Sequence, residues 1–192
     1  MKTSADTQKQ ATFMASIRRV FEDFGADSYL GEQVTMSEHM LQAARLAEEG
    51  DNSVSLIVAA LLHDIGHYIN EFPADAHAAG ENNHHDSAGA KVLRGLFSVE
   101  VINCVRYHVD AKRYLCTTEA GYFDRLSPAS VHTLELQGGP MNDTELAEFE
   151  QLSFLESIIK VRRWDEAAKV PGLKTPNLDH YIPYIEQAMG SY

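Results

Sequence analysis

The residues best suited to chemistry are four histidines and two aspartates spread through the chain: His39, His63, Asp64, His85, His108 and Asp165. The adjacent pair lies within the apolar string LLHDIGHYIN at 61–70. The other four have apolar residues at helical spacing, which places each of them on the inward face of a helix. Buried imidazoles and carboxylates need partners, and this donor set suits iron, manganese or zinc better than metals that prefer thiolates. We therefore predict one buried metal centre built from all six side chains.

Each of these histidines also has a more ordinary explanation. His39 or His108 taken alone would usually be a core histidine that forms hydrogen bonds. Six inward groups in one chain are harder to explain in that way, so metal coordination is the preferred interpretation. His84 competes with His85, but only His85 has apolar or glycine residues at i+3, i+4 and i+7. His67 would either contact a substrate or donate a hydrogen bond to a metal ligand.

Three further residues predict an anion pocket beside the metals. Lys112 lies four positions after His108, so its ammonium can reach the same space. Ser130 falls in the first turn of a helix opened by Ser127-Pro128, where free N–H groups attract anions. Arg162 lies three positions before the late aspartate. Alternatively, the two basic residues lie on solvated faces, and Ser130 is simply an N-terminal helix residue.

Composition limits the possible partners and location. At 192 residues the chain is long enough for one domain, 1–192, with a metal-binding core at about 35–170. A net charge of −12 argues against nucleic acid as a partner. Two cysteines and no apolar run of signal or spanning length predict a cytoplasmic protein that acts on a small molecule, away from membranes. The oligomeric state is left open.

The pattern of apolar residues predicts an all-α fold, because no segment alternates as a strand would. Thr35 and Glu38 form a candidate capping box, and Asn142 or Asp143 would cap a later helix. A loop is expected at 72–84, and the prolines after 170 predict an irregular tail that ends in a short helix. The expected helices cover 12–24, 35–49, 54–70, 87–96, 99–114, 127–136, 142–151 and 154–169.

The order His, His-Asp, His, His, Asp resembles the HD-domain superfamily of helical metalloproteins, over residues 39–165. The first histidine, the adjacent pair and the late aspartate match the core metal ligands of that superfamily. His85 and His108 match the extra histidines of members that hold two metals. In those members the aspartate of the pair, here Asp64, bridges the two ions.

Several strings resemble a narrower family, the HD-domain mixed-valent diiron oxygenases that cleave organophosphonates. They are YLGE at 29–32, LHDIGHY at 62–68, HVDAKRY at 108–114, LQGGPM at 136–141 and RWD at 163–165. The resemblance implies two iron ions, Fe(II) and Fe(III), with O2 as co-substrate. It also implies a loop containing Tyr29 and Glu32 that covers the metals and the cationic end of the substrate. That loop could otherwise be plain surface, and the segment 72–83 matches no motif.

The activity implied by this resemblance is O2-dependent cleavage of a carbon–phosphorus bond. The substrate would be a 1-hydroxyphosphonate with an ammonium or trimethylammonium group on C2, giving glycine or glycine betaine and inorganic phosphate. Tyr29, Glu32, Tyr68 and Glu135 could serve either cation. Two alternatives are a metal-dependent phosphohydrolase of a nucleotide or phosphate ester, and a metal-stabilised module that binds a phosphorylated ligand without catalysis.

Overall fold

A computed structural model describes residues 3–24, 32–68 and 84–190. These residues form α-helices joined by short turns, and no β-sheet is present among them, which confirms the all-α prediction. The helices are α1 Ser4–Arg19, α2 Met36–Glu49, α3 Val54–Leu62, α4 His85–Leu93, α5 Val99–Thr118, α6 Pro128–Leu136, α7 Asp143–Phe149, α8 Leu155–Ala167 and α9 Leu178–Gly190. A π-helical turn, Val20–Phe24, and two 3-10 turns, Ile65–Tyr68 and Phe123–Arg125, complete the list.

Side-chain caps begin several of the helices, including α2 and α6, which carry candidate site residues. Thr35 accepts the backbone N–H of Glu38, and the Glu38 carboxylate accepts the N–H of Thr35 in return, so the predicted capping box opens α2. Ser127 caps α6 with Pro128 at the first helical position, as predicted. Asn142, the first of the two candidate residues, caps α7. These local signals set where α2, α6 and α7 start.

Helix α3 lies at the centre of the fold. Its sequence, VSLIVAALL, is apolar all round, and seven of its nine residues are buried. It packs against α2, α5, α8 and α9, so polar neighbours of α3 are held away from water on every side. The two residues that immediately follow α3, His63 and Asp64, therefore lie in the middle of the core.

The helix of the histidine–aspartate pair is shorter than the predicted range 54–70. Helix α3 ends at Leu62, and the chain continues through a turn into the 3-10 segment Ile65–Tyr68. Gly66 lies directly against α4: a Cβ atom there would be 1.8 Å from the His85 carbonyl oxygen and 2.8 Å from the Gly89 nitrogen. The chain leaves the α-helical path here and packs its backbone against that of α4, and only glycine permits so close an approach.

Replacing Gly66 with alanine is expected to destabilise the protein by about 3 kcal/mol or more, because the clash is with backbone and cannot be relieved by a side-chain rotation. The midpoint of thermal unfolding should fall by roughly 6 °C or more for a chain of this length. Gly190→Ala is the control, since the described residues place nothing within 4 Å of a Cβ there. Equal unfolding midpoints for the two variants would contradict this account of Gly66.

Other helix ends also differ from the predictions. Helix α1 begins at Ser4 rather than 12, because Thr3 and Asp6 form a second capping box. Helix α4 covers 85–93 rather than 87–96, and α5 extends to Thr118. The tail is irregular around Pro171 and Pro176 and ends in a helix, as predicted, but that helix, α9, has 13 residues, contains Pro183 and buries five of its residues. That burial outweighs the missing proline hydrogen bond. No helix among the described residues is long and apolar enough to span a membrane.

Candidate metal centre

Five helices bring the six predicted metal ligands together. His39 comes from the first half of α2, His63 caps the end of α3, and Asp64 follows it. The remaining three are the first residue of α4, a mid-helix residue of α5 and a residue near the end of α8: His85, His108 and Asp165. All six are at most 5% exposed.

One group of metal-ligand donors surrounds Oδ2 of Asp64. This oxygen lies 3.5 Å from His39 Nε2 and 3.4 Å from His63 Nε2. The two imidazole nitrogens are 3.0 Å apart. Asp165 Oδ1 completes the group, at 3.4 Å from His39 Nε2 and 3.9 Å from His63 Nε2. Two imidazoles and two carboxylate oxygens thus enclose one small volume, which we call site A.

A second group surrounds the other oxygen of the same carboxylate. Asp64 Oδ1 lies 3.4 Å from His85 Nε2 and 3.3 Å from His108 Nε2, and these two nitrogens are 3.1 Å apart. We call this group site B. His67 Nε2 is more distant, at 3.9 Å from Asp64 Oδ1, and its ring stacks on that of His85. The distances favour His108 over His67 as a donor at site B, and Asp64 presents one oxygen to each site.

Backbone carbonyls fix the tautomers of three histidines. The Nδ1 atoms of His39, His63 and His108 lie 2.7–2.9 Å from the carbonyl oxygens of residues 168, 60 and 105. A carbonyl can only accept, so each Nδ1 carries a proton, and each Nε2 is directed at the centre, where it can bind a metal ion or a second proton. At site A the two Nε2 atoms lie close together, an arrangement that a cation between them, either a proton or a metal ion, stabilises. A hydrogen bond from Nδ1 to a backbone carbonyl is a usual way for proteins to orient metal-binding histidines.

The carboxylates fit a cation in the same way. Asp64 Oδ2 and Asp165 Oδ1 are buried and have no hydrogen-bond partner among the described residues. Burial alone would raise the pKa of both groups, but His63 beside Asp64 and Arg162 beside Asp165 hold both pKa values well below the ordinary range. Burial alone would lower the pKa of His39, yet the two aspartates raise it to about 9. The cluster therefore stabilises positive charge, and its donors fit two metal ions that share Asp64.

A cavity adjoins site B. Its lining includes the site-B donors and Asp165. The lining also includes polar residues of α5, of α6 with the residue that follows it, and of α8: Lys112, Ser130, Thr133, Gln137 and Arg162. The predicted anion-binding residues thus line the same small cavity as four of the six predicted metal ligands.

Lys112 and Arg162 are both buried, at 3% and 4% exposure, so a solvated face is the wrong explanation for either. Lys112 Nζ donates to Thr133 Oγ1 at 2.8 Å. Burial, together with the nearby charge of Arg162, lowers the pKa of Lys112 to about 7. An anion in the cavity would restore its full positive charge.

Arg162 anchors the late aspartate as well as lining the cavity. Its Nε donates to the Tyr122 hydroxyl at 2.9 Å, and its Nη1 donates to Asp165 Oδ2 at 2.5 Å. Its Nη2 forms a short ion pair with Glu166. Because Oδ2 of Asp165 is held in this way, Oδ1 is directed at site A. One hydrogen on each Nη is left over, since a guanidinium carries five donors.

Ser130 and Glu32 belong to a polar network at the start of α6. Ser130 Oγ accepts a hydrogen bond from Lys169 Nζ at 2.7 Å. The Ser127 hydroxyl donates to Glu32 Oε1 at 2.5 Å, and Lys169 Nζ lies 3.4 Å from the same oxygen. Glu32 is therefore placed at the α6 N-terminus, where its contacts among the described residues are with this network. Glu135 is exposed.

Tyr29 and the segment 72–83 lie outside the described residues. His84 is exposed, whereas His85 is buried against Asp64. Sequence reasoning missed Thr133, Gln137 and Lys169, although each lies at helical spacing from a residue that it singled out. Thr133 and Gln137 are three and seven positions after Ser130, and Lys169 is four positions after the late aspartate.

The helical fold and the paired histidine–aspartate sites define a known class of metal-binding protein. Residues 36–145 match the HD domain, and the chain belongs to the HD domain family. It is 48% identical, over 90% of its length and 88% of the relative's, to a [1-hydroxy-2-(trimethylamino)ethyl]phosphonate dioxygenase (glycine-betaine-forming) of Leisingera caerulea. It is 44% identical to a hydroxymethylphosphonate dioxygenase of Gimesia maris, over 92% of this chain and 88% of that one.

Proposed function

We propose that the protein is a diiron oxygenase that uses O2 to cleave the carbon–phosphorus bond of a 1-hydroxyphosphonate. The observation that carries the proposal is Asp64, whose two oxygens face two separate imidazole pairs beside a cavity lined by buried Lys112 and Arg162. The two relatives described above, both named phosphonate dioxygenases, support the same reaction. Single-domain organisation and a cytoplasmic location are part of this proposal, and two free cysteines support the latter.

The reaction balances without an external reductant. R–CH(OH)–PO3H2 and O2 give R–COOH and H3PO4, so C1 is oxidised, O2 is reduced, and both oxygen atoms enter the products. When bound, mixed-valent iron would supply this redox chemistry. Site A would hold one ion through His39, His63 and Asp165, site B would hold the other through His85 and His108, and Asp64 would contact both.

The remaining residues would bind and orient the substrate. Lys112 and the spare N–H groups of Arg162 would neutralise the phosphonate, and Ser130 would donate its hydroxyl proton to a phosphonate oxygen. These donors lie in a buried pocket, where charge pairing is stronger than in water. His67, stacked beside site B, would contact the substrate at its hydroxyl end. The pocket thus holds the phosphonate at one side and presents C1 to the metals.

The group carried on C1 defines the particular substrate. The two relatives are named for a trimethylammonium compound and for hydroxymethylphosphonate, which has no cationic group. Glu32 is paired with Lys169 and Ser127, so an ammonium group would have to compete for that carboxylate. The assay should therefore compare hydroxymethylphosphonate with the 2-ammonio and 2-trimethylammonio 1-hydroxyethylphosphonates.

With iron-loaded protein, at least one of these three compounds should release inorganic phosphate only when O2 is present. Cleavage consumes O2, whereas hydrolysis of a phosphate ester uses water alone. Phosphate should be measured with and without O2, and 18O2 should label both the carboxylate and the phosphate. The Asp64→Ala variant is the inactive control. Equal phosphate release under strict anaerobiosis would refute the oxygenase and favour a metal-dependent phosphohydrolase. Binding without turnover of any compound would favour a ligand-binding module.

A further inference from the structure

Lys169 lies two residues beyond α8, and its side chain is only 10% exposed. Its ammonium is within hydrogen-bonding distance of Ser130 Oγ, at 2.7 Å. The Ser127 hydroxyl, the Glu166 carboxylate and the Glu32 carboxylate each lie 3.4 Å away. Ordering a lysine among four oxygens costs side-chain entropy, and the metal centre does not require it.

The contact with Ser130 determines what that serine can do. A hydroxyl has one proton to donate and lone pairs to accept. Because Lys169 carries no acceptor, it must donate to Ser130 Oγ, and the serine proton is directed elsewhere. In the described structure that proton points toward Glu166 Oε2, at 3.3 Å. Glu166 is already paired with Arg162 and Lys169, so an anion in the cavity can take the serine proton in its place.

We propose that Lys169 is a positioning residue for the phosphonate: by donating to Ser130 Oγ, it leaves the serine proton available as a hydrogen-bond donor to the substrate. This inference rests on the proposed function, and it assigns Lys169 no contact with the reacting atoms. Lys169 acts through Ser130. Its loss should therefore weaken phosphonate binding and leave the bound metals in place.

The test is calorimetric titration of iron-loaded protein with methylphosphonate, which has the phosphonate group but no hydroxyl to oxidise. Lys169→Met should bind about tenfold more weakly than the wild type, the effect of one charge-assisted hydrogen bond. Lys169→Arg should recover most of that loss. Lys160→Ala, which removes an exposed lysine of α8, is the matched control and should bind normally. With a hydroxyphosphonate that the enzyme cleaves, the KM of Lys169→Met should rise above that of the wild type, while its kcat should change little.

A double-mutant cycle with Ser130→Ala separates positioning from a general charge effect. If Lys169 acts through Ser130, the double variant should bind within about twofold of Ser130→Ala alone, since coupled residues are not additive. Unchanged affinity in Lys169→Met, or fully additive losses, would overturn the proposal. If Lys169→Met fails to fold, Lys169→Gln replaces it in the same cycle. Failure of the proposed function would be seen separately, as the absence of O2-dependent phosphate release by the wild type.

Discussion

Replacement of Asp64 with alanine is expected to remove metal from both sites. Each of its oxygens faces a different imidazole pair, at 3.3–3.5 Å, so one substitution takes a donor from site A and from site B. Loss of a residue that merely supports a ligand costs about 10–100-fold in metal affinity. Loss of this shared donor should exceed that at both sites. Iron per chain should be measured after gel filtration, with activity measured in parallel.

The controls for Asp64 are single-site variants. His85→Ala and His108→Ala should chiefly empty site B, leaving about one iron per chain, while His84→Ala should keep two because that side chain is exposed. Circular dichroism separates loss of metal from loss of fold. Two irons retained by Asp64→Ala would show that the carboxylate does not bridge the sites.

Replacement of Lys112 with alanine is expected to leave iron content unchanged and to weaken substrate binding severely. Lys112 is 3% exposed and lines the cavity. An anion left without its desolvated partner costs about 2–5 kcal/mol, which corresponds to a rise in KM of roughly 30-fold or more. Lys91→Ala, an exposed lysine of α4, is the control. Wild-type KM and kcat in Lys112→Ala would exclude Lys112 from the substrate site.

The same lysine predicts a dependence on pH. Burial and the neighbouring charge of Arg162 lower the pKa of Lys112 to about 7 in the absence of an anion. Below that pH the group is cationic and binds phosphonate. As the pH rises above 7, free protein loses this charge, and KM should increase. Lys112→Arg should flatten the profile, because a guanidinium stays protonated. The same slope in both proteins would assign the pH dependence to another group.

The parts of this fold that follow from local chemistry could be predicted from sequence. Thr35 and Glu38 lie three residues apart, and a capping box needs nothing beyond that spacing. Pro128 marks the start of α6 for a similar local reason. His39, His108 and Asp165 lie among apolar residues at helical spacing, and the structure buries all three in one cluster.

Features that depend on distant parts of the chain could not be predicted. Helix α3 ends early because Gly66 meets the backbone of His85, and nothing within residues 54–70 reveals that contact. Lys169 looks like a surface residue until α6 is placed beside it, because three of its four oxygen partners lie about 40 or 137 residues away in the chain. Pro183 suggested an irregular segment, but tertiary packing of α9 keeps it helical.

The contact between Gly66 and α4 also means that the main chain sets the distance between sites A and B. His63 and Asp64 lie just before the contact on one side, and His85 carries the touching carbonyl on the other. The spacing between sites A and B is therefore held by two backbones that cannot move closer or slide past each other. Side-chain substitutions around the centre should change which site binds metal. The separation of the two sites would change only if the backbone contact between Gly66 and α4 were altered.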